Sequence, residues 1–170
     1  GAYASNGNTF VGYSAGGGTH AGANIRSTAV GAGAMSAALN TANDNACLGY
    51  NALDSLTTGN DNVAVGANAG DTIATGTNNT LIGYSADTTG GDSINQIALG
   101  SGTTAVADNS VTLGNADVTA VYMAQDKGAN VHCAGIDVIT NNEQVVSSFI
   151  NDGSGSNDSS FVTIQAAEAQ

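Results

Sequence analysis

The chain has 170 residues, of which 24 are glycine, none is proline and 9% are charged, against roughly 25% in average soluble chains. Fourteen Asp and Glu face two basic residues, Arg26 and Lys127, for a net charge of −12, which excludes a basic patch for a nucleic-acid backbone and attraction to anionic lipid. No run of about 18 apolar residues is present to span a membrane, and low charge with scarce Leu, Ile, Val and Phe points to a repetitive, close-packed architecture.

The chain opens on Gly1 and in mid-coil, which predicts a fragment or processed product with more coils upstream. After an Asn6-Gly7 turn, a phrase begins that recurs along the chain: Asn8-Thr-Phe-Val-Gly12-Tyr-Ser-Ala15, then Ser27-Thr-Ala-Val-Gly31-Ala-Gly-Ala34. It returns as Asn45-Ala-Cys-Leu-Gly49-Tyr-Asn-Ala52, Asn62-Val-Ala-Val-Gly66-Ala-Asn-Ala69 and Asn79-Thr-Leu-Ile-Gly83-Tyr-Ser-Ala86. Weaker copies follow at Gln96-Ile-Ala-Leu-Gly100 and Ser110-Val-Thr-Leu-Gly114. The central glycines, Gly12, Gly31, Gly49, Gly66, Gly83, Gly100 and Gly114, are spaced by 19, 18, 17, 17, 17 and 14 residues. Helical repeats need roughly 30 residues or more for a helix pair, so this period predicts an all-β parallel solenoid of about seven coils, on the order of 34 Å long at ~4.8 Å per coil.

Within the phrase, the position before each glycine is Val11, Val30, Leu48, Val65, Ile82, Leu99 and Leu113. This column is expected to form the dry core of the coils. One residue earlier stand Phe10, Ala29, Cys47, Ala64, Leu81, Ala98 and Thr112, on the opposite face of the strand and still mostly apolar. A strand apolar on both faces is covered on both, so this second stripe is expected to meet other chains. Stacked identical coils favour a rotationally symmetric bundle, a trimer in preference; the spacing does not set the number, and a dimer would cover the stripe as well.

The glycines read as corners needing positive φ or close backbone approach. The Ala three residues later (15, 34, 52, 69 and 86) marks a second tight corner. Just after the glycine, Tyr13, Tyr50 and Tyr84 alternate with Ala32 and Ala67, a pattern of rings over the small residues of adjacent coils. The Asn that opens most copies (8, 45, 62 and 79) is expected to stack as an amide ladder or to satisfy turn backbone. Between copies, segments such as Asp54–Asp61 and Asp71–Asn78 read as turns and second short strands.

Past Gly114 the register changes. Val118–Met123, a polar turn at Gln125–Gly128 and Ala129–Gly135 read as strand, turn and strand. Residues 1–117 are thus expected to form a repeat domain and 118–140 a β-hairpin cap or neck. Residues 141–170, with strand candidates at Gln144–Ile150 and Ser160–Ile164, read as a C-terminal hairpin or the start of a further domain.

Asn-Thr-Phe-Val-Gly-Tyr-Ser-Ala at 8–15 and Asn-Val-Ala-Val-Gly-Ala-Asn-Ala at 62–69 resemble the head repeats of trimeric autotransporter adhesins. That resemblance implies left-handed parallel β-rolls packed side by side in threes. The longer coils, followed by Val111-Thr-Leu-Gly-Asn-Ala-Asp-Val-Thr-Ala-Val-Tyr-Met, look still more like repeat regions of bacteriophage tail fibres. The resemblance covers residues 6 to about 136 and implies a virion or cell-surface location and attachment to a host without catalysis. The alternative is a bacterial cell-surface adhesin or extracellular filament protein. The coils exceed the usual adhesin coil of about 14 residues.

Chemistry-bearing clusters are few. His20 and His132 are the only imidazoles, and the adjacent His132-Cys133 pair would point to opposite faces of a strand. Cys47 reads as a small hydrophobe, no nucleophile–base pair is in view, and the periodic glycines need no phosphate to explain them. Calcium wants six to eight oxygens; Asp44, Asp54, Asp61, Asp71, Asp92 and Asp108 gather in loops without a recognisable cluster. No cofactor and no metal are expected. The expected partners are further copies of the chain and a surface glycan or other receptor, with Tyr13, Tyr50 and Tyr84 as a candidate stacking row. An ice-binding solenoid ranks last, since no outward Thr column is evident.

Overall fold

The computed structural model describes residues 7–20, 22 and 25–121. Each copy of the phrase supplies one short strand: β1 (Thr9–Val11), β2 (Thr28–Val30), β3 (Ala46–Leu48), β4 (Val63–Val65), β5 (Thr80–Ile82), β6 (Gln96–Leu99) and β7 (Ser110–Leu113). β-branched residues favour the extended backbone here, and the glycine that follows turns the chain away. The strands pair in parallel in the order β1 to β7. Register holds without slip: Phe10 faces Ala29, Ala29 faces Cys47, and the column continues through Ala64, Leu81, Ala98 and Thr112. This is a parallel β-solenoid, the architecture that the glycine spacing predicts, with about six turns where about seven coils are expected.

The intervening segments differ from expectation. Among the described residues they hold turns and only the isolated bridges Thr77–Ile94 and Asp87–Thr104, with no second strand. Left-handed residues interrupt them: Ser14, Asn51, Asn68 and Ser85 after the glycine corner, and Arg26, Asp44, Asp61, Asn78, Asn95 and Asn109 before the strand all have φ between 47° and 58° or, at Asn78, 61°. Such residues break any run of extended backbone. Coil-to-coil bonding still passes through the turns, as from Asn40 N to Thr57 O (2.7 Å), Thr57 N to Ala74 O (2.8 Å) and Ala74 N to Gly91 O (2.9 Å).

The core runs along the solenoid axis. The strands contribute Ala29, Cys47, Ala64, Leu81 and Ala98, the second corner Ala34, Ala52, Ala69 and Ala86, and the turns Met35, Leu39, Leu53, Leu56 and Ile73. All are buried. This reverses the expected assignment of the two strand faces. Phe10, Ala29, Cys47, Ala64, Leu81, Ala98 and Thr112, expected between chains, are the inward column, with Phe10 half-buried against the core. Val11, Val30, Leu48, Val65, Ile82, Leu99 and Leu113, expected inside, point outward; Val11 and Leu48 are 55% and 53% exposed.

The physical reason is thickness. Turns carrying Met35, Leu53, Leu56 and Ile73 lie directly under the sheet, so the strand side has room for little beyond a methyl group. Where a larger inward residue occurs, a glycine makes way. A Cβ on Gly16 would meet the ring of Phe10 (2.5 Å), and one on Gly70 would meet Leu53 (2.8 Å) and Leu81 (3.0 Å).

The chain divides into two units, Gly1–Tyr122 and Met123–Gln170, and every described residue lies in the first. Val118–Val121 form no strand. The rest of the expected cap, His132-Cys133 and the C-terminal hairpin lie outside the described residues.

Candidate functional site: an outer sheet face and a tyrosine column

The seven repeat glycines stand at the first corner of each coil. Gly12, Gly31, Gly49, Gly66, Gly83 and Gly100 have φ between 131° and 149°, and Gly114 has 81°. The first five also stack closely, since a Cβ on any of them would lie 2.5–2.6 Å from the carbonyl carbon of the glycine one coil on. They are structural twice over, by conformation and by clearance.

The Asn column meets both of its expectations. Asn45, Asn62, Asn79 and, in the same place, Gln96 are fully or almost fully buried. Asn62 N and Nδ2 donate to Asn45 Oδ1 (3.0 and 3.1 Å), Asn79 repeats this on Asn62 (3.1 and 3.0 Å), and Gln96 N donates to Asn79 Oδ1 (2.9 Å). Each Asn Nδ2 also donates to turn backbone, at Gly59, Gly76 and Ser93 O. The ladder straps sheet to turns at Asn45, Asn62 and Asn79, and Ser27 takes the place of the amide in the coil between Asn8 and Asn45.

Outside this frame lie two surfaces. The first is the outer face of the sheet, formed by Thr9, Val11, Thr28, Val30, Ala46, Leu48, Val63, Val65, Thr80, Ile82, Ile97, Leu99, Val111 and Leu113. Every one of these is exposed or half-buried. Three are Thr, and none is charged, in a chain of net charge −12. Six rises of ~4.8 Å and two columns one strand-repeat apart give an uncharged, mostly apolar strip on the order of 200 Å², within the range of patches that ordinary monomers expose. Threonine occupies no continuous column of it.

The second surface is the column one step past the glycine corner. Tyr13, Tyr50 and Tyr84 are 86%, 59% and 61% exposed, with Ala32 and Ala67 half-buried between them. Their backbones are held in line by bonds from Gly33 N to Tyr13 O, Asn51 N to Ala32 O, Asn68 N to Tyr50 O, Ser85 N to Ala67 O and Gly102 N to Tyr84 O, all 2.8–3.0 Å. The rings stand well into solvent rather than closing over their neighbours.

Compared with protein-family models, curated proteins and solved structures, the chain matches none. The site is therefore read from its own chemistry.

Cys47 is buried and free, and burial pushes its thiol up to about 12, which leaves no thiolate for nucleophilic work near neutral pH. Arg26 and Asp44, in adjacent coils, form a two-pronged ion pair at the surface (Nε to Oδ1 and a second guanidinium nitrogen to Oδ2, both 2.6 Å). The Arg26 guanidinium holds the Asp44 carboxyl below the usual carboxylate range.

Burial, with a smaller push from Asp71 in the preceding coil, raises Asp87 to about 6 against the opposing bonds from Thr88 N and Thr72 Oγ1 (both 2.8 Å). Burial, with Asp71 as a lesser cause, also raises Asp54. Among the described residues no group of three or more His, Cys, Asp or Glu is placed to hold a metal ion, and no helix is long and apolar enough to cross a membrane.

Where the last coil shortens, Thr89, Gly90, Asp92, Ser93, Ile94 and Asp108 line an open cleft of about 390 Å³. Asp108 Oδ1 is fixed there by Ile94 N and Gln96 Nε2, both at 2.8 Å, and these donors lower its pKa. Sequence reasoning missed Asp87 and the left-handed columns. The latter carried a legible signal, because Asn and Asp are the non-glycine residues that tolerate left-handed backbone, and they recur one position before the ladder at 44, 61, 78, 95 and 109.

Proposed function

We propose that the chain is a non-enzymatic segment of a homotrimeric fibre, three left-handed rolls side by side, serving host-surface attachment as part of a bacteriophage tail fibre or spike. The observation that carries this reading is the outer sheet face. A parallel sheet is ordinarily covered on both sides; here the turns cover one side and the other offers an uncharged apolar strip along all seven coils. Another copy with the same coil rise matches that strip residue for residue along its length. The tyrosine column, lying past the corner from the strip, is the candidate receptor contact.

A shaft of stacked coils is stiff, resists proteases because its backbone is bonded coil to coil, and repeats any weak surface contact three times around its axis, which raises avidity. A bacterial cell-surface adhesin would use the same surfaces in the same way. Light scattering of the purified chain after size exclusion tests the assembly, with a mass near three times 16.5 kDa expected. A stable monomer at micromolar concentration would overturn it.

A further inference from the structure

We propose that the Tyr13–Tyr50–Tyr84 column binds an extended, uncharged, β-1,4-linked polysaccharide, one ring to each disaccharide of the chain. The proposal deepens the attachment role and rests on it. Three observations carry it. First, the rings are exposed and emerge from equivalent backbone: each follows a glycine of φ 134–149°, and the in-register ladder lines their coils up. Exposed rings of this kind present an apolar face on which the flat C–H face of a pyranose can stack.

Second, the rings occupy alternate coils, so they repeat at about 9.6 Å, two rises of ~4.8 Å. That is close to the length of two β-1,4-linked hexose units in an extended chain. In such a chain each unit is turned over relative to the last, so every second unit shows the same face. The small residues of the intervening coils, Ala32 and Ala67, leave room for the inverted unit. A ring in every coil would repeat at half the distance and match neither the length nor the facing of this polymer.

Third, the surroundings suit a neutral, hydroxyl-rich ligand. One residue beyond the rings stand Ser14, Asn51 and Ser85, supplying hydroxyl and amide groups at the same period, and neither column holds a charged residue up to Ser85. With a net charge of −12, an anionic polymer would be repelled.

Titration calorimetry on the intact chain tests this with cellohexaose, chitohexaose, cellobiose and maltohexaose. Five sugar units are needed to reach from Tyr13 to Tyr84. A β-1,4 hexamer is therefore expected to bind tighter than the disaccharide by on the order of tenfold or more, since the linked contacts act together. The α-linked maltohexaose, whose chain curls, should bind no better than the disaccharide. Tyr50→Ala should remove the length dependence while Tyr50→Phe keeps it, because the ring face and not the hydroxyl makes the contact. Equal binding of maltohexaose, absence of length dependence, or undiminished binding by a Tyr13→Ala/Tyr50→Ala/Tyr84→Ala variant of unchanged mass and melting temperature would each overturn the proposal. If the chain adheres to cells or to other glycans with all three tyrosines removed, the column assignment fails and the attachment role survives. If it adheres to no cell and no glycan, both fail.

Discussion

At the scale of single residues, the repeat glycines make the strongest demand. Gly66 has φ 137°, and a side chain there would run into the backbone of Gly83 and Tyr84. An alanine pays twice, through an L-residue in a conformation reserved for glycine at about 1–3 kcal/mol and through overpacking against backbone at about the same again. Gly66→Ala is therefore expected to lower stability by roughly 3 kcal/mol or more, measured by urea denaturation, with the neighbouring coils forced apart. Loss below about 0.5 kcal/mol would show that the stack can open at that corner without cost.

Asp87 makes a second claim at this scale. Its native pKa is about 6 against 3.8 for the free side chain, from burial first and Asp71 beside it. A raised carboxyl favours the folded state when protonated, so its contribution is complete below about pH 3.8 and is lost as the pH rises through 6. Asp44 and Asp108, both lowered, act oppositely and only at more acid pH. Between pH 7 and pH 5 the melting temperature should thus rise on acidification. Asp87→Asn keeps an oxygen for Thr72 and Thr88 and removes the charge. It should raise stability at pH 7 by ~1 kcal/mol after solvent screening, a few degrees in Tm, and flatten the dependence in this window. An unchanged slope in the variant would assign the effect to other groups.

At the scale of the coil, the amide ladder and the strand faces decide the architecture. Asn62 serves four bonds at once: its nitrogen reaches Asn45 Oδ1 and Gly76 O, and its oxygen receives the backbone and side-chain N–H of Asn79. Asn62→Ala would leave several of these partners unsatisfied in a buried site, at about 1–3 kcal/mol each. A loss of roughly 3 kcal/mol in the midpoint-derived stability is expected, and a near-neutral effect would mean that water or turn movement replaces the strap. The ladder was legible from the sequence because the Asn recurs at one fixed place in the phrase.

The two strand faces were harder to read, since both columns are apolar and periodicity alone does not say which is inside. Two signs in the residues would have told them apart. The Asn that must be buried to form a ladder lies two residues before Phe10, Cys47, Ala64 and Leu81, on the same face as these. The inward column is also small wherever the turn is large: Ala29 goes with Met35 and Cys47 with Leu53, whereas Phe10 goes with Gly16. The Val11–Leu113 column shows no such compensation, being exposed or half-buried along its whole length among the described residues. The missing second strand left a signal of its own, in the Asn and Asp that recur one position before the ladder and tolerate the left-handed backbone that interrupts extended runs.

For the whole molecule, the consequence of that reversal is a sharper test of assembly. Leu81 and Ile82 are neighbours in β5, yet Leu81 is fully buried in the coil and Ile82 is 43% exposed on the outer face. A carboxylate at Leu81 would lie unpaired in the core and unfold the solenoid, whatever the oligomeric state. A carboxylate at Ile82 keeps access to solvent in a lone chain, where the side chain is 43% exposed between Val65 and Leu99, but would be buried against the next copy in a trimer. Ile82→Asp is therefore expected to keep the β-sheet circular dichroism of the parent while its mass by light scattering falls to that of one chain, and Leu81→Asp to lose the fold itself. A trimer that survives Ile82→Asp with unchanged melting temperature would show that the outer sheet face is not what holds the chains together. The strip would then be free for another occupant, and the assembly would have to be sought on the turn side of the coils.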